Sequence, residues 1–291
     1  MKKVVILGCE NSHADIFLGF IKNDPKFADL EVSGVYSDET AAAEKLAEKY
    51  GVKIMKSFDE AVGKVDGVVV TARHGDNHYK YAAPYIKTGV PMFIDKPISV
   101  SEADALKLVR ECKAAGVKLT GGSTCVHDEF VQKLKGEHEE NFGGKTISGF
   151  IRCPINLKND YGDFYFYSEH LVGILSTIFG FYPESVKAYE NAGKITVVFR
   201  YKDYDVTGLY VDRNNLYYAM RVAENGVYGE ELSITESNPC FKTEFTEFYG
   251  LLCGEKQRLS YEDFIAPVFV LNAIKKSLDA GEEVRVEKFE I

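Results

Sequence analysis

None of the 291 residues is tryptophan, and only eight are proline. The chain has no run of 18 or more apolar residues, so no membrane-crossing helix is expected. Its six cysteines (Cys9, Cys112, Cys125, Cys153, Cys240 and Cys253) include no Cys-x-x-Cys pair. That spacing offers neither a disulfide framework nor a zinc site. Cys9 and Cys153 lie in apolar, strand-like runs, and the set reads as buried free thiols of a reducing compartment. Positive charge is also short: 35 Lys and Arg face 44 Asp and Glu, a formal net charge of −9. With no strongly basic block, binding to a nucleic-acid backbone is not expected. A small anionic cofactor stays open, because one helix N-terminus can hold a phosphate locally.

What is present is ordinary for a globular protein: 45% hydrophobic and 27% charged residues, enough for about two domains. The start Met-Lys-Lys superficially resembles a signal peptide. However, the apolar stretch Val4–Gly8 is too short for an h-region, and Glu10, Asn11, Ser12 and His13 follow at once. The expectation is a first strand of a cytoplasmic protein.

Residues 1–122 alternate short apolar runs with helical patterns. Strands are predicted at Val4–Gly8, Leu30–Tyr36, Asp66–Ala72, Pro91–Ile94 and Lys118–Gly121. Helices are predicted at Ala14–Lys22, Thr40–Tyr50, His78–Thr88 and Ser101–Ala115, the last with a capping-box-like Ser101 and Asp104. Strands that are apolar throughout, separated by helices of about ten residues, point to a doubly wound parallel sheet of the Rossmann type. The second half, residues 123–291, has a helical stretch at Val126–Glu139 and a helix near Glu169–Phe179. Strand-like runs cover Lys145–Ile155, Ile195–Tyr201, Tyr204–Tyr210, Tyr217–Ala223 and Val227–Thr235. Lys202-Asp203 reads as a hairpin connection. An amphipathic helix near Phe264–Ala280 and a short terminal strand close the chain. This half reads as an α/β domain with a mainly antiparallel sheet.

Ligands of doubly wound sheets sit at the carboxyl ends of the strands. The first such turn is Gly8-Cys9-Glu10-Asn11-Ser12-His13. Only its first glycine matches a dinucleotide fingerprint; Glu10 and His13 stand where glycine is wanted. Glu10 adds bulk and negative charge near the pyrophosphate position, while Ser12 could cap the following helix. After the second strand, Ser37 and Asp38 stand near the place of a ribose-binding acid and lean weakly towards NAD over NADP. The fourth strand ends in Asp95-Lys96-Pro97, which sets a lysine at the switch-point crevice beside an orienting carboxylate, before a proline that could be cis.

Three segments together resemble the glucose–fructose oxidoreductase/inositol dehydrogenase (Gfo/Idh/MocA) family. They are the strand and histidine of Asp66–His78, the stretch Gly89–Pro97 with Asp95 for the family's glutamate, and Ser168–Gly173 with its histidine. The segment Leu259–Asp263 and the run Gly281–Val284 are also similar. The resemblance implies a Rossmann domain (1–122) followed by a substrate and oligomerisation domain (123–291) with a large open sheet. It implies an NAD(P)-dependent oxidoreductase acting on a sugar, cyclitol or related polyol. It makes Lys96 a bridge between cofactor and substrate and His170 the proton acceptor or donor. It lines the nicotinamide end of the crevice with Thr71, Ala72, Arg73 and His78, and no metal is implied. A histidine base suits hydride transfer from an alcohol.

The sequence also departs from the family. The acid usually found four residues before the histidine is Phe166, and the one often found three residues after it is Gly173. Glu169, Tyr165, Tyr167 or Asp163 could compensate. Arg73 could meet an anionic substrate or simply lie on the surface, and Tyr167, Glu169 and Arg73 join the candidate substrate contacts. His138 is expected to be exposed, and His127-Asp128-Glu129 to be a helix N-terminus rather than a metal site. An open sheet face points to a homodimer or homotetramer. The alternative function is a ligand-binding or regulatory protein on the same fold that has lost ordinary cofactor binding.

Overall fold

The computed structural model describes residues 1–235 and 238–291. It divides into two compact units: Met1–Gly122 with Phe241–Phe264 and Ile291, and Ser123–Cys240 with Ile265–Glu290.

The first unit holds five strands: β1 (Lys2–Leu7), β2 (Leu30–Tyr36), β3 (Gly67–Val70), β4 (Met92–Asp95) and β5 (Leu119–Gly122). They pair in parallel in the order β2-β1-β3-β4-β5. The order reverses between β1 and β3, which makes their carboxyl ends the switch point of the sheet. Every residue of β3, β4 and β5 is buried, as a sheet covered on both faces requires. The helices α1 (Ser12–Asn23), α2 (Thr40–Tyr50), α3 (Asp76–Ile86) and α4 (Glu102–Ala115) connect them. Helix α2 ends at left-handed Gly51 and α4 at left-handed Gly116, and the Ser101 side chain caps α4 by accepting from the Asp104 amide. Two glycines are obligatory in this sheet. Gly8 has φ +100° and a Cβ there would lie 2.1 Å from the Ala72 nitrogen. Gly121 has φ +123° and its Cβ would lie 2.0 Å from the Ile94 oxygen.

The second unit begins with a 3₁₀ turn, Thr124–His127, and α5 (Glu129–Glu139). Asp128 caps α5 by accepting from the amides of Phe130 and Val131, so the His127-Asp128-Glu129 run is a helix start. The sheet comprises β6 (Thr146–Ile155), β7 (Ser185–Asn191), β8 (Lys194–Arg200), β9 (Asp205–Asp212), β10 (Tyr217–Ala223), β11 (Gly226–Leu232) and β12 (Val284–Arg285). Their order is β11-β10-β6-β9-β8-β7-β12, and all pairs are antiparallel except β6 with β9. Buried and half-buried residues alternate along β8, β9 and β10. One face therefore packs on the core with α6 (Phe164–Phe179), and the other is only partly covered. Tyr201 and Tyr204 flank Lys202-Asp203 in the β8–β9 hairpin with stacked rings 5.1 Å apart.

Several expectations need correction. Helix α6 begins at Phe164, not Glu169, and takes in most of the aromatic run. Strand β7 and the helix α7 (Pro239–Leu252) were not anticipated. Most of α7 clusters with the first unit, because Phe245 and Phe248 belong to the core that holds Phe17, Phe27 and Phe93. The closing helix α8 (Tyr261–Ala280) is longer than read. His138 is half-buried rather than exposed, its Nδ1 2.8 Å from the Thr146 hydroxyl and its ring against Phe179 and Tyr204. Of the six free cysteines, five are buried and Cys253 is exposed. No helix among the described residues is long and apolar enough to cross a membrane.

Candidate active site

At the switch point the side chain of Glu10 joins three strand ends. Its Oε2 accepts from the Ser37 hydroxyl, just past β2, at 2.6 Å, and its Oε1 accepts from the Arg73 amide, beyond β3, at 2.9 Å. Glu10 is partly exposed while Ser37 is buried. Asp38, one residue on, accepts from the Tyr36 hydroxyl at 2.7 Å and pairs with Lys80 at 2.9 Å. Although partial burial opposes it, hydrogen bonds from Tyr36 and Lys80 hold the Asp38 carboxyl below its usual range.

Asn11 and His13 of the first turn are buried. Asn11, not Ser12, caps α1: its side chain accepts from the His13 amide. Ser12 is exposed at the first helical position. The Asn11 amide donates to Asp95 Oδ2 at 2.6 Å. His13 is buried with Nδ1 3.3 Å from Asp95 and Nε2 3.4 Å from Glu244, a residue of α7. Burial alone would lower the His13 pKa, and the Lys96 charge also opposes protonation. The carboxylates of Asp95 and Glu244 outweigh both and hold it above the ordinary histidine value. The glycine missing at position 13 is thus replaced by a buried ionic knot that ties the first turn to the end of β4.

Asp95 is completely buried, and its Oδ1 accepts from the Lys96 amide at 2.7 Å. Lys96 is buried beside it, followed by a cis bond to Pro97. A Cβ at Gly75, the residue just before α3, would lie 2.9 Å from the Pro97 ring, so these loops are closely packed. Thr71 and His78 serve this packing. The Thr71 hydroxyl donates to the Gly8 carbonyl at 2.6 Å. His78 is wholly buried, with Nε2 2.7 Å from the Ala72 carbonyl and Nδ1 3.3 Å from that of Ile98. Its burial lowers its pKa and keeps the ring neutral. The structure therefore brings Gly8, Glu10, Asn11, His13, Ser37, Thr71, Ala72, Arg73, His78, Asp95, Lys96 and Pro97 together at the carboxyl ends of one sheet.

His170 lies in the second unit, on α6, and is buried. Its Nδ1 is 2.8 Å from the Ser123 hydroxyl and 3.4 Å from the Cys125 sulfur. The rings of Tyr167 and Tyr217 stand 5.3 and 6.1 Å away. Glu169 is buried on the same helix. Tyr165 donates to Asn272, and Asp163 accepts from the Asn159 amide. Phe166 packs against Tyr161 and Tyr167. Gly121–Ser123 is one of the strand-end segments where ligands of such a sheet gather, but the sequence assigns Ser123 no role, and Glu244 escapes sequence reading altogether. Ser123 is marked by its place just after β5, but nothing local pairs it with a histidine on α6. The helix bearing Glu244 did carry a signal in the spacing of Phe241, Phe245, Phe248 and Leu252.

The comparisons with known proteins fit this architecture. A family model described as "Oxidoreductase family, NAD-binding Rossmann fold" (GFO_IDH_MocA) matches residues 2–123. The match covers the first domain, about two-fifths of the chain. No curated protein sequence matches it significantly. Among solved structures, a putative myo-inositol dehydrogenase from Sinorhizobium meliloti superposes with a TM-score of 0.84 at 16% identity, over 99% of this chain and 100% of the other. Myo-inositol 2-dehydrogenase from Lactobacillus plantarum gives 0.85 at 13% identity, over 98% and 99%. Scyllo-inositol dehydrogenase from Lactobacillus casei, with bound NAD(H) and scyllo-inositol, gives 0.84 at 14%, also over 98% and 99%. At these identities the likeness is one of fold.

The donor set at the strand ends fits a nicotinamide dinucleotide in a rearranged form. A carboxylate, a capped helix N-terminus and a buried lysine stand at the switch point, but the carboxylate comes from the first turn instead of from β2.

Proposed function

We propose that this protein is an NAD(P)-dependent oxidoreductase, with NAD preferred, that moves a hydride to or from a sugar, cyclitol or related polyol. The observation that carries the reading is the knot of Asn11, His13 and Asp95, which fixes the first turn to the end of β4 where Lys96 stands. A bound nicotinamide would supply the hydride chemistry. The residues that would hold it are Gly8, Glu10, Asn11, Ser12, Ser37, Asp38, Thr71, Ala72, Arg73 and Pro97. His13, His78 and Asp95 act behind them as positioning residues.

Lys96 donates hydrogen bonds to a substrate hydroxyl and stabilises negative charge on that oxygen. His170 takes the hydroxyl proton in oxidation and returns it in reduction. In the tautomer whose Nδ1 donates to the Ser123 oxygen, the lone pair for this work is on Nε2. Tyr167 and Glu169 supply substrate contacts beside it, and Arg73 favours a polyol that carries an acidic group. The half-covered face of the second sheet serves as a self-association surface in a homodimer or homotetramer, and six free thiols suit a reducing cytoplasm.

The test is nicotinamide absorbance with the purified chain and a panel of inositols, sugars and sugar acids. Turnover with NAD, abolished in His170→Ala, is the expected result. Absence of NAD(H) binding at millimolar concentration overturns the reading. The alternative, a ligand-binding protein without redox chemistry, is favoured by the replacement of the usual acids around His170 by Phe166 and Gly173. Polyol binding that persists without any dinucleotide binding would establish it.

A further inference from the structure

We infer that Glu10 is the acceptor for ribose hydroxyls on the adenosine side of the dinucleotide, and that it sets the preference for NAD over NADP. This rests on the proposed nicotinamide chemistry and goes further by assigning the recognition to one residue. In a doubly wound sheet that acceptor is an acid at the end of the second strand, and its charge repels a 2′-phosphate. Here that position is Ser37, which is neutral, short and buried. Asp38 points its carboxylate at Tyr36 and Lys80 instead.

Glu10 restores what position 37 lacks. Its Oε2 lies one hydrogen bond, 2.6 Å, beyond the Ser37 oxygen. A glutamate at position 37 would carry its own carboxylate about that far past its γ-position, since roughly two covalent bonds span the same distance. The Arg73 amide holds the other oxygen at 2.9 Å, so the group is oriented in advance. Each carboxylate oxygen has about two acceptor sites, and each of these two bonds uses one. Glu10 is partly exposed, and about one acceptor site on each oxygen remains. The side chain leaves the turn towards the ends of β2 and β3, while the first turn of α1 is capped by Asn11. A bulky acid at a glycine position thereby becomes a displaced version of the family's ribose acid.

The test is calorimetric titration of the full chain with NAD and with NADP. The variants are Glu10→Gln and the double change Glu10→Gly with Ser37→Asp, each first shown to fold by circular dichroism. The wild type is expected to favour NAD by about tenfold or more, the loss that one charged hydrogen bond produces. Glu10→Gln should weaken NAD by a similar factor and narrow the NAD/NADP ratio. The double variant, with the acid returned to position 37, should recover both. Unchanged or tighter NAD binding in Glu10→Gln overturns the assignment and leaves the oxidoreductase reading standing. Failure of the wild type to bind either dinucleotide overturns both.

Discussion

The Ser123 hydroxyl lies 2.8 Å from His170 Nδ1 and also accepts from the Cys125 amide at 3.3 Å. A serine oxygen can accept from both at once, and in that arrangement His170 Nε2 carries the lone pair. A neutral partner orients the imidazole but adds no charge to stabilise the imidazolium. Ser123→Ala should therefore lower kcat/KM by about tenfold, as loss of one buried hydrogen bond of ~1.4 kcal/mol implies. Ser123→Asp should move the acid limb of the pH profile for oxidation upward, because a carboxylate beside histidine favours its charged form, which cannot act as the base. Steady-state rates with NAD and the best polyol from pH 5 to 9 check both. A shifted limb in Ser123→Asp distinguishes this role from mere packing.

Gly173 is the reason Ser123 can reach His170. A Cβ at position 173 would lie 3.0 Å from Ser123 Cβ and 3.2 Å from Val126 Cγ1. Serine from the neighbouring segment thus takes the space that an acid at position 173 would need. Gly173→Asp should not rescue the base. It should destabilise the chain by about 1–3 kcal/mol, the usual cost of overpacking, and read out as a lower denaturant midpoint. Gly173→Ala should do the same to a smaller extent.

These pairs show what sequence alone could and could not reveal. The parallel sheet was legible because runs such as Gly67–Val70 are apolar throughout, and its helices because glycines such as Gly51 and Gly116 end them in the left-handed conformation. Lys96 and His170 stand out in the sequence because each sits in a local motif. Ser123 stands out only by its place at a strand end, since its contact is with a histidine 47 residues away in sequence. Glu10 was noticed as an anomaly, but its partners lie 27 and 63 residues away, so the direction of the side chain could not be read. The strand β7 was missed because its sequence, SVKAYEN, buries only Ser185, Val186 and Ala188.

His13 and His78 pull stability in opposite directions with pH. The folded His13 pKa lies above its unfolded value of about 6.5. Its contribution is therefore full below that pH and disappears as pH rises through the folded value. His78 is held below the ordinary value by burial, so its contribution is full above about 6.5 and fades as pH falls through the folded value. Against wild type, His13→Asn should lose more stability at pH 5.5 than at pH 8.5, and its pH dependence should flatten on the alkaline side. His78→Asn should lose the acid-side decline. Urea midpoints over pH 5–9 for the three proteins measure this, and parallel curves would contradict the charge state assigned to His13.

The helix α7 should prove to be part of the Rossmann core in energetic terms as well as in position. Phe245 is fully buried, with ring centroids 4.7 Å from Phe17 and 4.9 Å from Phe27. Truncating a buried phenylalanine removes its transfer free energy and leaves a cavity, so Phe245→Ala should cost about 3–5 kcal/mol. Gly67 tests the same contact from the sheet side. Its Cβ would lie 2.6 Å from Leu252 Cδ2 and 3.0 Å from Phe248 Cζ. Both neighbours are ends of side chains, so Gly67→Ala should cost less, about 1–3 kcal/mol. If α7 were a loosely held appendage, both variants would unfold at the wild-type denaturant midpoint. If it is core, combining Gly67→Ala with Leu252→Ala should recover part of the loss from Gly67→Ala alone, because the truncated leucine makes room for the new methyl group.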